Sequence, residues 1–220
     1  MAPNSRRNDE GNSPDVIRHA VLLGDALQNL DLGGGDAESM LVPRPRNPWK
    51  LTVLQAPQVL LRGHVRQIPE DATHLVISVE GAWAIEASGL LQGGTQTVRD
   101  ALDTLAMAAD EFEGIFAGLM TAALETGLPT VVCTLVPSRF PGPAQQRVAA
   151  TALAIFNDRI VRRAFAARLP IVDLRFVCDE DDDYASETLL SRAGVRKAAN
   201  VIRAALYEVS RSVERTRVYF

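Results

Sequence analysis

Five short apolar runs rich in β-branched residues punctuate the chain, and they restrict its fold more than any other feature. They run from His19 to Gly24, Lys50 to Leu54, His74 to Val79, Pro129 to Val136 and Pro170 to Val177. Each is continuous rather than alternating, the pattern of strands buried on both faces of a parallel sheet. Between them lie helical patterns. In the clearest, Val98, Leu102, Leu105, Ala109, Phe112, Phe116, Leu119 and Ala123 recur at three- and four-residue steps until Gly127 and Pro129 stop the helix. A second pattern runs from Pro143 to Arg168 and a third from Ser191 to about Ser212. Strands alternating with helices predict an α/β chain, a three-layer α/β/α sandwich around a five-stranded parallel sheet.

The organisation is simple. A length of 220 residues suits one domain. The polar opening MAPNSRRNDEGNSPD has no apolar core, so residues 1–15 read as a disordered lead-in, neither signal peptide nor anchor, and residues 16–220 as the single domain. Hydrophobic residues at 47%, charged residues at 23% and a mean hydropathy of +0.02 describe a globular chain rather than a membrane-spanning one. A net charge of −4 and pI near 5.4 argue against nucleic acid or an anionic membrane as partner. The local arginine clusters, 62–66, 159–168 and 211–217, read as solvated helix faces. Cys133 and Cys178 both lie in apolar runs and read as buried reduced thiols, which points to the cytoplasm.

In open parallel sheets, ligands bind beyond the carboxyl ends of the strands, so chemistry is sought in the segments after each run. After the first, GDALQNLDLGGG contains neither a dinucleotide fingerprint nor a P-loop, and no G-x-S-x-G elbow occurs anywhere. The acidic run Asp179 to Asp183 lacks the glycine and spaced glutamate of a calcium loop and reads as a solvated, self-repelling loop. His19, His64 and His74 show no metal-ligand spacing, so no metal and no cofactor are expected. Cys133 has no base placed beside it by the sequence, and its apolar flanks oppose ionisation.

One combination is more specific than any of these pieces. HAVLLGDALQN followed by GGG, PEDATHLVISVEG, FPGPAQQR, AIFND and LPIVDLRFVCDE with its following Tyr184 and Ala185 stand in order over roughly residues 18 to 205. This series resembles the SGNH/GDSL hydrolases. The resemblance implies their flavodoxin-like fold and a site at the carboxyl ends of the strands. Members of that family attack an acyl carbonyl with the serine of Gly-Asp-Ser, activated by a later Asp-x-x-His pair. A glycine and an asparagine donate hydrogen bonds to the oxyanion.

The catalytic residues of that pattern are absent. Gly24, Asp25 and Ala26 occupy the Gly-Asp-Ser position, which removes the nucleophile. Gly81, Ala82 and Trp83 occupy the block of the asparagine donor, and Gln55 stands where the second-block glycine belongs. At the base position the chain reads Ser186, Glu187, Thr188, Leu189, Leu190, with no histidine after His74. Four losses point to a natural chain that kept the fold and abandoned the reaction, rather than to one inactivating substitution. The expectation is a catalytically silent binding, scaffold or partner protein for a small molecule or another protein. Its vestigial cleft would be formed by Gly24, Asp25, Ala26, Gln55, Gly81, Ala82, Trp83 and Leu189, with Trp83 either plugging the space or offering a stacking surface. The alternative is an acyl hydrolase whose catalytic residues are relocated, with Glu80, Glu86, Glu187 or the acidic run as general base.

Overall fold

A computed structural model describes residues 18–24, 27, 30, 49–55, 62–87, 89, 91, 97–210 and 217–220, without the side chains of Trp83, Ala84 and Ala87. The N-terminal lead-in, Asp25, Ala26 and most of the glycine-rich segment lie outside the described residues.

The strands are β1 (His19–Leu23), β2 (Lys50–Leu54), β3 (His74–Ile77), β4 (Thr130–Cys133), β5 (Ile171–Val172) and β6 (Val218–Tyr219). All pairings are parallel, in the order β2-β1-β3-β4-β5-β6. The first four begin where the apolar runs begin or one residue later. Six strands form the sheet, not the five expected. The sixth is a two-residue edge whose register, Ile171 to Val218 and Val172 to Tyr219, extends the sheet beyond β5. The fifth run is also shorter as a strand than its apolar character suggests. Asp173 caps a helical turn, accepting from the Arg175 backbone N–H, so Leu174–Val177 is helix and not strand.

The helices are α1 (Gly81–Ala87), α2 (Val98–Glu125), α3 (Pro143–Ala166), α4 (Leu174–Val177) and α5 (Arg192–Val209). They cover both faces of the sheet. On one, Val21, Leu23, Leu75, Ile77 and Val132 pack with Phe112 and Phe116 of α2 and Phe156 of α3. On the other, Ala20, Leu22, Val76, Val131 and Cys133 pack with Ile202 and Leu206 of α5. Odd and even strand positions therefore both face apolar cores, which is why the runs do not alternate.

Local signals set the helix ends. Thr97 and Asp100 form a reciprocal capping box at the start of α2, Pro143 occupies its first turn in α3, and the Ser191 hydroxyl accepts from Gly194 N–H in α5. The first turn of α2 departs from the expected apolar stripe: Val98 and Leu102 are exposed, and burial begins at Leu105. The arginines of α3 are not merely solvated. Arg159 pairs with Asp110 and Glu113, and Arg163 with Glu113, tying α3 to α2.

Candidate functional site

The ends of β1, β2 and β3 meet through their own ladder. Gly24 N–H donates to Leu54 O at 3.2 Å and Ser78 N–H to Leu23 O at 3.0 Å, so Gly24, Gln55 and the Ser78–Gly81 turn lie side by side beyond the strands. Gly24 has φ of +126°, and a Cβ there would lie 1.9 Å from Ser78 O. Only glycine permits that approach. Gly81 opens α1 and is likewise enclosed: its missing Cβ would meet Leu153 Cδ2 at 3.2 Å and Val136 O at 3.4 Å. Ala82 is half-buried, and Gln55 is exposed.

The fourth strand continues into this end as a braced segment. Leu135 N–H donates to the buried Asn157 Oδ1 at 2.7 Å, and Gln146 binds both Ser138 O and Phe140 N–H. Thr134 donates to Asp173 Oδ1 at 3.1 Å and accepts from Leu174 N–H at 2.9 Å, while Arg175 grips Asp173 with Nε and Nη2 at 2.8 and 2.5 Å. This buried network fixes the ends of β4 and β5 against each other.

Leu189 enters on the segment that follows α4. Ala185 N–H donates to Leu189 O at 2.8 Å, and Leu189 itself is 48% exposed. Arg139 joins this segment to the end of β4. Its backbone N–H donates to Glu187 O at 2.7 Å, its Nη2 to Asp179 O at 2.6 Å, and its guanidinium lies 4.7 Å from the Tyr184 ring centre. Gly81 and Glu187 thus both meet the post-β4 segment, one at Val136 and the other at Arg139, with Leu189 two residues beyond Glu187. Ala26 and the Trp83 side chain, expected at this site, lie outside what is described. Arg139 had no assigned role in the sequence; its position in PSRFPGP, directly after a strand, was the available signal.

The other singled-out residues resolve differently. Asp183 is a correction to the solvated acidic loop. It is buried, ion-paired with Lys197 at 2.9 Å, and accepts from Glu180 N–H at 3.1 Å, because Asp181–Asp183 form a 3-10 turn that docks on α5. Glu86 and Glu187 are exposed. Both cysteines are free and buried, and burial pushes each thiol up to about 12, far from a nucleophilic thiolate. Among the described residues no group of three acidic, histidine or cysteine side chains is arranged to hold a metal. None of the described helices is long and apolar enough to cross a membrane.

His19 and His74 sit at the opposite, amino end of the sheet. His19, on β1, is buried, with Nδ1 3.0 Å from Asp71 Oδ1 and Nε2 2.8 Å from Thr52 Oγ1. His74, on β3, contacts Thr73 Oγ1 at 2.8 Å and Ser210 Oγ at 2.7 Å. Thr73 Oγ1 joins them, since it also accepts from the His19 backbone N–H and donates to the His19 carbonyl, so both belong to one structural hydrogen-bond group rather than a metal pair.

No protein-family model and no curated protein matches the sequence. Solved structures do match, 26 chains in all. One is a GDSL-like lipase from Bacteroides thetaiotaomicron, at 13% identity and a TM-score of 0.59, with 88% of this chain and 89% of that one covered. Another is an extracellular lipase from Streptomyces rimosus, at 12% identity and a TM-score of 0.55, covering 87% and 99%. A third is phospholipase A1 from Streptomyces albidoflavus, at 12% identity and a TM-score of 0.56, again covering 87% and 99%. A likeness of this extent at so low an identity concerns architecture, and the architecture is the one that the sequence resemblance implies: this chain has the SGNH/GDSL hydrolase fold.

Proposed function

We propose that this chain is a catalytically silent SGNH-fold protein, acting as a binding or scaffold partner in the cytoplasm. One observation supports this most: where the fold would assemble a nucleophile, oxyanion donors and a base, the chain supplies Ala26, Ala82 and Leu189. Each is an apolar side chain in place of a polar one. Loss of a single oxyanion donor costs about 3 to 4 kcal/mol of transition-state stabilisation, and loss of the nucleophile costs more. The scaffold around these positions is nevertheless maintained, from the Gly24–Ser78 approach to the Asp173 network. Retention of the frame without its reacting groups suits recognition rather than turnover. Intact-mass measurement after exposure to a fluorophosphonate tests this reading: no adduct is expected, and stoichiometric labelling would overturn it.

A second reading, hydrolysis by relocated residues, has one observation in its favour. Thr52, His19 and Asp71 stand in the order hydroxyl, imidazole, carboxylate at 2.8 and 3.0 Å, the order that activates a nucleophile in triads. Against it, the His19 side chain is only 1% exposed, and Asp71 is shared with Lys50 at 2.7 Å. The geometry fits a structural brace between β1 and β2. If ester hydrolysis were detected, its loss in His19→Gln would assign it to this trio.

A further inference from the structure

At the amino end of the sheet, two helix-to-strand connections, the last turn of α5 and β6 border a cavity of about 350 Å3. The connections are the links from α2 to β4 and from α3 to β5. The volume falls at the lower end of the range for small-molecule pockets, about 300 to 1,000 Å3. Much of the lining is apolar: Leu128 and Pro129 from the first link, Leu169 and Pro170 from the second, and Val209 at the end of α5.

Its charged groups are unequally engaged. Glu208 accepts from Arg217 and, at 2.9 Å, from the Tyr219 hydroxyl, so this acid and one arginine satisfy each other. Arg168 is different. It lines the cavity, is exposed, and makes no side-chain hydrogen bond or ion pair among the described residues.

Arg168 is also held in an unfavourable conformation. Its φ of +57° makes it the described non-glycine residue in the left-handed region. It terminates α3 with the paired bonds of a Schellman turn, Arg168 N–H to Phe165 O and Leu169 N–H to Ala164 O, where glycine is the usual occupant. The end of α2 on the facing wall does use glycine: Gly127, at φ of +70°. An arginine standing where glycine would be unstrained invites a functional explanation. A cation unpaired among the described residues, on the wall of a largely apolar cavity, fits one ligand chemistry, a small carboxylate with an apolar body.

We propose that this cavity binds a small apolar carboxylate, with the apolar body against Leu128, Leu169 and Val209 and the carboxylate on the Arg168 guanidinium. The site is separate from the carboxyl-end site and does not depend on that site's silence.

Calorimetric titration of the full chain with sodium octanoate tests it, with acetate as a charge-only probe and 1-octanol as an apolar-only probe. Saturable octanoate binding is expected, with acetate and octanol each weaker by about ten-fold or more. Arg168→Gln and Arg168→Gly should each weaken octanoate about ten-fold, the loss of one charge-assisted hydrogen bond, and leave octanol unchanged. Absence of saturable octanoate binding, or octanoate affinity unchanged in both variants, would overturn the proposal.

Discussion

Gly24 and Ser78 approach so closely that a single methyl group between them, 1.9 Å from the Ser78 carbonyl oxygen, cannot be accommodated without moving backbone. This contact locks the exit of β1 against that of β3 and so sets the floor of the carboxyl-end site. Gly24→Ala must both displace Ser78 and hold alanine at φ of +126°. We expect a loss of about 3 kcal/mol or more in denaturant unfolding. Gly127→Ala, at φ of +70° with nothing within 4 Å of the added carbon, should cost only about 1 kcal/mol. Equal losses would mean that conformation, not the Ser78 contact, governs Gly24.

Thr134 is the shared partner of the Asp173 carboxylate and the Leu174 N–H, and it is buried. Thr134→Val keeps the shape and removes both bonds, leaving the N–H without its partner. A cost of about 1 to 3 kcal/mol should appear in chemical denaturation. A neutral result would mean that solvent replaces the hydroxyl at the end of β4.

Stability should fall with acid through His74. Burial, with help from the Arg18 charge, lowers its pKa from 6.5 to about 4, so the fold holds the neutral ring. The unfolded chain takes up the proton first. The associated stability is therefore complete above about pH 6.5 and is lost as pH falls from there towards 4, by about 1 to 2 kcal/mol after solvent screening. Melting curves at pH 7.5 and 5.0 should differ less for His74→Gln than for the parent chain; an identical pH dependence would contradict this.

The sheet was legible in the sequence because both its faces are buried, so each strand is a continuous apolar run and its start is marked. Asp173 hid the true end of β5: the run PIVDLRFV stays apolar while one capping carboxylate turns it into helix. Val218–Tyr219 was missed because two residues carry too little pattern to separate a strand from a tail. At the site, the positions of Gly24, Gln55, Gly81 and Ala82 beyond their strands followed from chain order and the sheet. The bracing role of Arg139 did not, since it depends on where residues 179–187 return, about 40 positions later in the chain. The burial of Asp183 was likewise invisible, because it needs Lys197 from the next helix.

Restoring one group should not restore the reaction. On the proposed reading, Ala26→Ser supplies a hydroxyl without a base or an oxyanion donor, and an unactivated serine is a weak nucleophile. The variant is expected to show ester hydrolysis no greater than the parent in the same assay. Measurable turnover would reveal a base within reach of position 26.

The most direct test of catalytic silence is the hydrolysis of chromogenic acetate and butyrate esters by the parent chain, followed at neutral pH and again after repurification. We predict rates equal to the buffer blank for both esters. Hydrolysis above the blank that persists at constant specific activity through repurification would contradict the account.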